Sequence, residues 1–348
     1  MTETKRKYRV ASLGEILMRL SAPAGEHISQ TDSFKAHIGG SEANVMLSLS
    51  QWGHAATFLT RLPENDLGDK VMQLLHTFEI DTGAILRGGE RLALYFEEKG
   101  SAYRNGHILY DRAHSAVTEL SPEEVNWAAF FEDTHWFHWS AITPSLSANC
   151  LALTQRAIEE ARKRKIPISV DLHHRKNLWQ FGVSGWDVLG SMVENSALVV
   201  SDPNTLIKVF QPEGIGLFEG FIYPRECLSF FEKLATKNQT GRFAMLHREV
   251  RNASHHNLGG LYYDKQTGNS AQSQTYEVYP IIDRVGGGDA FMAGLIHGIL
   301  HEESVQQVIE YATGASVIKH SVTGDFNLCS EDDVKAMIKA ETKGIINR

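Results

Sequence analysis

From Tyr8 to Leu13 a short apolar run ends at Gly14-Glu15, which predicts a first strand closed by a turn. After Gly39-Gly40 the apolar positions Val45, Leu47, Leu49 and Trp52 predict a largely buried helix. A short strand follows over 56–60, then a helix over 69–76 with Val71, Leu74 and Leu75 on one side. The period then changes. Leu92, Leu94 and Phe96 alternate with Ala93, Tyr95 and Glu97, Gly100-Ser101 marks a turn, and 107–110 is extended, so a small antiparallel flap is expected. Beyond it strand and helix alternate. Strands are predicted at 135–140, 166–171, 197–201, 242–246, 258–263 and 276–281, and helices at 147–164, 185–195, 224–237, 288–300, 304–321 and 330–340. Such alternation predicts an α/β fold with a mostly parallel sheet and helices on both faces. Ligands of such sheets bind at the carboxyl ends of strands, where Asp171, Ser201 and Asp283 fall.

Composition narrows the partners. A net charge of −8 over 348 residues argues against a nucleic-acid binder and leaves small anions open, since local basic groups can override the global sign. The polar, basic start at Met1–Arg9 lacks the apolar run of a secretory signal, and no stretch is long and apolar enough for a membrane span. Cys150, Cys227 and Cys329 are scattered and odd in number, the pattern of reduced, buried thiols, so a cytoplasmic location is expected.

The chemistry concentrates at Asp283-Arg284-Val285-Gly286-Gly287-Gly288-Asp289, just before an apolar helix. Bare amides at a helix start bind anions, phosphate above all. A carboxylate there repels a phosphate unless it serves as a base, taking a hydroxyl proton while the amides hold the charge of a phosphoryl group in transfer. The same residues also fit a loop with an ordinary helix cap, and taken alone they leave both readings open. There is no Gly-x-x-x-x-Gly-Lys phosphate loop, and Phe291 stands where a dinucleotide fingerprint needs its third glycine. Paired Cys-x-x-Cys is absent, and His135/His138, His173-His174 and His255-His256 lack ligand spacing, so no metal-binding residues are assigned.

Gly39-Gly40-x-x-x-Asn44 together with Gly286-Gly287-Gly288-Asp289 resembles the ribokinase-like, phosphofructokinase-B type carbohydrate kinases, over nearly the whole chain. Leu13–Leu20, Thr60–Asn65, Arg91–Glu97, Tyr110–Ala116, His138–Pro144 and Gly324–Asn327 are similar to the 2-keto-3-deoxygluconate kinase branch. The resemblance implies one kinase domain over 1–348, with a small β lid from about 15–37 and 91–115. It implies an ATP- and Mg²⁺-dependent kinase that phosphorylates the terminal hydroxyl of 2-keto-3-deoxygluconate. Asp289 would be the base, and the amides of Gly286, Gly287 and Gly288 the anion hole. Gly39, Gly40, Asn44, Tyr95, Tyr110, Arg112 and Arg175 would surround the sugar acid, and Arg pairs bidentately with carboxylates. Ser201, Arg248, Gly288, Gly324 and Asn327 would contact the nucleotide, and a homodimer or higher homo-oligomer is compatible with such a lid.

Read without the resemblance, Gly39-Gly40 is a turn before a helix, and Arg112 and Arg175 are salt-bridge partners. The family usually carries Asp-x-Asn-x-Arg where this chain has Asp171-Leu172-His173-His174-Arg175, and Asn-x-x-Glu where it has Ser201-Asp202-Pro203-Asn204. Arg284 replaces a small residue, and Leu246-His247-Arg248-Glu249 lacks the common Gly-rich form. These departures bear on metal and nucleotide handling more than on the sugar. Alternative readings are a kinase for fructose, ribose or a nucleoside, which would not need Arg112 and Arg175, and a non-catalytic sugar-acid sensor.

Overall fold

The computed structural model describes residues 8–173, 175, 177–220 and 222–339. Met1–Lys7, His174 and Ala340, the expected end of the last helix, lie outside the described residues. Six strands run parallel, in the order Arg242–Asn252, Leu198–Val200, Ile168–Asp171, Trp136–Ser140, Arg9–Leu13 and Ala55–Leu59. At the Arg242–Asn252 edge, His255–Asp264 adds antiparallel and carries Asn269–Gln272 and Tyr276–Val278.

The strands are apolar on both sides because both faces are covered. Val10, Leu198, Val200 and Ala244 enter one core, while Ala11, Leu13, Val199 and Phe243 enter the other. The first core is closed by the helices Ser41–Gln51, Asp66–Thr77, Gly287–Leu300 and Val305–Lys319. The second is closed by Ala148–Lys163, Gly185–Val193, Pro203–Phe210 and Pro224–Lys237. The helix Pro203–Phe210 lies outside the sequence expectation. Asp202 caps it by accepting from Thr205 N at 3.0 Å, and Pro203 fits the first helical position, where an amide is not needed.

Arg242–Asn252 runs well past the predicted 242–246, because hydrophobic pattern marks only its buried half. Phe243 and Ala244 are buried, while Arg248–Arg251 project with the hairpin into solvent.

A second sheet has the order Lys35–Gly39, Leu17–Ser21, Ala93–Glu98, His107–Asp111. The expected pair Ala93–Glu98 and His107–Asp111 is antiparallel, and Leu17–Ser21 joins it parallel to Ala93–Glu98. Its outer strand is exposed throughout, with Ile108, Leu109 and Tyr110 facing solvent. Among the described residues no helix is long and apolar enough to cross a membrane.

Candidate active site

Gly286 begins the helix Gly287–Leu300 in the left-handed region, at φ 82°. A Cβ there would lie 1.9 Å from the Asp325 carbonyl oxygen, so both conformation and space require glycine. Asp289 falls in the first helical turn, at the positive end of the helix dipole, where the Gly287 amide already donates to the Arg284 carbonyl at 3.3 Å.

The second glycine site meets the first through Asn44. Its Nδ2 donates to Asp289 Oδ2 at 2.6 Å, and its Oδ1 accepts from Gly40 N at 3.3 Å. Ser41 Oγ donates to Asp289 Oδ1 at 3.0 Å. Gly40 is extended; its lack of a side chain matters because a Cβ would sit 2.2 Å from the Glu15 carbonyl oxygen. Gly39 has the same constraint against the Asp325 carboxylate, at 2.4 Å. One amide side chain therefore registers two loops that lie 245 residues apart in the chain.

Asp289 keeps some solvent access at the floor of the cleft, yet the surrounding protein raises its carboxyl to about 6. Desolvation dominates, the Asn44 and Ser41 hydrogen bonds oppose it, and the charge of Asp171 adds to the rise. Asp171, at the carboxyl end of Ile168–Asp171, is itself pushed up to about 7 by burial, against the pull of Arg175. Its Oδ1 has no hydrogen-bond partner among the described residues. His173 Nδ1 lies 3.3 Å from Asp171 Oδ2. Desolvation and the Arg175 charge hold His173 down at about 4, which leaves a neutral imidazole where the family usually has an asparagine amide.

Beneath the turn at Gly286 lies a charged cluster that sequence reasoning missed. Arg19, fully buried on Leu17–Ser21, donates to Asp283 Oδ2 at 2.7 Å, Asp283 Oδ1 at 3.1 Å and Glu97 Oε2 at 2.7 Å; its Nε lies 2.9 Å from Asp325 Oδ1. Asp283 in turn accepts from Val285 N at 3.2 Å and Gly324 N at 3.0 Å, which shapes the loop. Burial opposes ionisation of Asp283, but Arg19 prevails and holds it at about 2. Asp325 goes the other way: burial raises it to about 6, against the pull of Arg19. Lys319, wholly buried, donates to Val322 O at 3.1 Å and Asp283 O at 3.5 Å. The available signal was a lone arginine inside the apolar run Leu17-Met18-Arg19-Leu20.

The remaining sequence-selected residues divide into groups. Tyr95 is buried and donates to Asp325 Oδ2 at 3.2 Å, so it ties the second sheet to the core. Tyr110 is half exposed, with the Arg112 guanidinium 5.4 Å from its ring centre. Arg112 donates to the buried Glu15 carboxylate, while its Nε has no hydrogen-bond partner among the described residues. Arg175 is exposed beside the Asp171–His173 pair. On the other side Ser201 is buried at the end of Leu198–Val200, and Arg248 and Arg284 place two cationic groups near each other. Gly324 bonds the Asp283 carboxylate, and Asn327 is tied to Cys329 N, so both support the loop from beneath. Asp202 and Asn204 are committed locally: Asp202 caps its helix, and Asn204 pairs with both backbone groups of Phe218.

This fold and cleft are those of a carbohydrate kinase. Residues 7–180 match the sequence profile of the pfkB family carbohydrate kinases, and the chain belongs to that family, with the ribokinase-like α/β fold. The 2-dehydro-3-deoxygalactonokinase of Haloferax volcanii is 26% identical over 339 residues, which span 97% of this chain and 98% of that protein. The crystal structure of 2-dehydro-3-deoxygluconokinase from Thermotoga maritima is 32% identical, with a TM-score of 0.87 over 95% of this chain and 99% of its own. A pfkB family carbohydrate kinase from Listeria grayi is 30% identical, with a TM-score of 0.86 over 95% and 99% of the two chains.

Proposed function

We propose that this carbohydrate kinase transfers the γ-phosphate of ATP to the terminal hydroxyl of a 2-keto-3-deoxy sugar acid, 2-keto-3-deoxygluconate first, with Asp289 as general base. The observation that carries the reading is the seating of Asp289. Its carboxylate, raised to about 6, is mostly ionised at neutral pH yet basic enough to take a hydroxyl proton, and it stands in a helix turn whose amides point at the cleft. Asn44 and Ser41 orient both carboxylate oxygens from the sugar side.

The sugar's own carboxylate supports the acid-sugar choice. Arg112 keeps a buried Nε–H without a partner among the described residues, beyond the donors given to Glu15, and Arg175 is exposed beside Asp171 and His173. Of the relatives' names, one is for a kinase of the gluconate form and another for a kinase of the galactonate form, while further relatives at 20–24% identity are named 5-dehydro-2-deoxygluconokinases, also kinases of a keto-deoxy sugar acid. The galactonate epimer is therefore the second reading, because the two differ only in the configuration of one hydroxyl.

ATP would approach from the side of Arg248 and Arg284, with its transferred phosphate at the amides of Gly288 and Asp289. Mg²⁺ would accompany ATP and neutralise phosphate charge. Among the residues present, the unpartnered Oδ1 of Asp171 suits a metal-bound water, whereas Asp202 is occupied as a helix cap. A panel of sugar acids and neutral sugars with ATP and Mg²⁺, the phosphorylated position assigned by NMR, tests the proposal. Turnover of fructose or ribose without turnover of either keto-deoxy acid overturns it.

A further inference from the structure

The two helices whose near ends hold Ser41, Asn44 and Asp289 meet again at their far ends, and three histidines converge there. His54 follows Ser41–Gln51, His297 lies in the last turn of Gly287–Leu300, and His301 caps that helix. His297 is eight residues beyond Asp289, about 12 Å along the helix axis.

His54 Nε2 and His297 Nδ1 are 3.0 Å apart, and one ring nitrogen of each histidine lies within 4.8 Å of the others. The orientation of the rings follows the habit of metal-bound imidazoles, which use one nitrogen for the ion and the other for an outer hydrogen bond. His301 Nδ1 donates to the His297 carbonyl at 2.8 Å, which leaves Nε2 with a lone pair. His297 Nε2 lies 3.8 Å from the Glu331 carboxylate, which leaves Nδ1 facing His54. His54 and His297 are buried, while His301 keeps partial solvent access and offers an entry path.

We propose that His54, His297 and His301 bind one divalent transition-metal ion of the imidazole-preferring kind, Zn²⁺ in the first instance, as a clamp between the far ends of the two active-site helices. A zinc ion about 2.0–2.1 Å from each nitrogen needs nitrogens about 3.3 Å apart. The His54–His297 pair already has nearly that spacing, and His301, at a helix end, closes the third position with a small side-chain shift. A fourth position is open to water. The contrasting reading is a hydrogen-bonded aromatic nest, in which His297 stacks on Tyr311 at 4.7 Å without any ion.

The test uses the full-length protein, free of tag histidines, stripped with a chelator and kept without nucleotide. Co²⁺ is titrated while its visible absorption is followed, then displaced by Zn²⁺, and Zn²⁺ affinity and stoichiometry are measured by calorimetry. One Zn²⁺ per chain is expected, with affinity reduced by more than about tenfold in His301→Ala and in His54→Gln, since changes even to the outer partners of a ligand cost about 10–100-fold. Circular dichroism checks the fold of each variant, and His301→Gln replaces His301→Ala if that variant does not fold. A wild-type protein that holds no Zn²⁺, or losses below about tenfold in both positions, overturns the proposal.

Discussion

Asp289→Asn isolates the proposed base from its surroundings. Asparagine has the same shape: its oxygen can still accept from Asn44 Nδ2, and its NH₂ can donate to the Ser41 hydroxyl, so both contacts of the carboxylate survive. Sugar affinity should therefore change little, while the proton acceptor is gone. General-base catalysis contributes about 10²–10⁴-fold, or about 2.7–5.4 kcal/mol of barrier, and kcat should fall by that factor. Wild-type turnover supplies a second reading of the same group. With a carboxyl near 6, Asp289 is about 97% ionised at pH 7.5 and about 9% at pH 5. The kcat of the wild type should thus drop about tenfold across that range, because the active form is the deprotonated one and acid removes it. The assay is coupled ATP consumption with saturating sugar acid, alongside calorimetric sugar binding for both proteins. Retention of kcat within tenfold by Asp289→Asn, with normal sugar binding, would refute the assignment of the base.

Gly286→Ala should nearly abolish turnover, since a Cβ at φ 82° meets the Asp325 carbonyl at 1.9 Å; a loss of about 2–4 kcal/mol in urea unfolding measures the combined strain. Arg19→Met strands Asp283, Glu97 and Asp325 in a buried site and should cost about 3–5 kcal/mol, read as a lowered unfolding midpoint; an unchanged midpoint contradicts the view of Arg19 as the neutralising charge. Arg112→Lys keeps a cation for Glu15 but loses the guanidinium fork, so KM for the sugar acid should rise about 10–100-fold with kcat less affected; equal KM values would remove Arg112 from substrate recognition.

Sequence pattern and structure agree where burial and period coincide. The parallel strands read as apolar runs because both faces are covered, and the helix Pro224–Lys237 matches its expected limits because Pro224 and the amphipathic stripe mark it. The pattern fails where polarity is not solvent. The hydrophobic pattern alone did not mark Leu17–Ser21, which the resemblance placed in β structure over about 15–37, because an arginine in an apolar run normally marks a solvent-facing position and here three distant carboxylates neutralise it. The helix Pro203–Phe210 has its start signal in Asp202-Pro203, a capping carboxylate before a proline at the first helical position, but at eight residues it is too short for its apolar period to stand out. Both glycine sites were visible, but their meeting was not. Asn44 and Asp289 lie 245 residues apart, and only the packing of two helices in one core brings them within 2.6 Å.

The Arg19 cluster also constrains how the cleft can close. Leu17–Ser21 is a strand of the second sheet, and its arginine grips Asp283, which stands at the start of the turn into Gly286 and holds Val285 N and Gly324 N. Tyr95, on the next strand, grips Asp325. A movement that pulled these strands from the core would expose charges or leave them unpaired in a buried site, at a cost of several kcal/mol, and would deform the turn at Gly286. On the proposed reading, a closing movement would be carried by the outer strand His107–Asp111, which is exposed along its length and bears Tyr110, with Arg112 just past its end. A sugar that drew Arg112 inward would then leave the Arg19 contacts, and with them the geometry around Asp289, undisturbed.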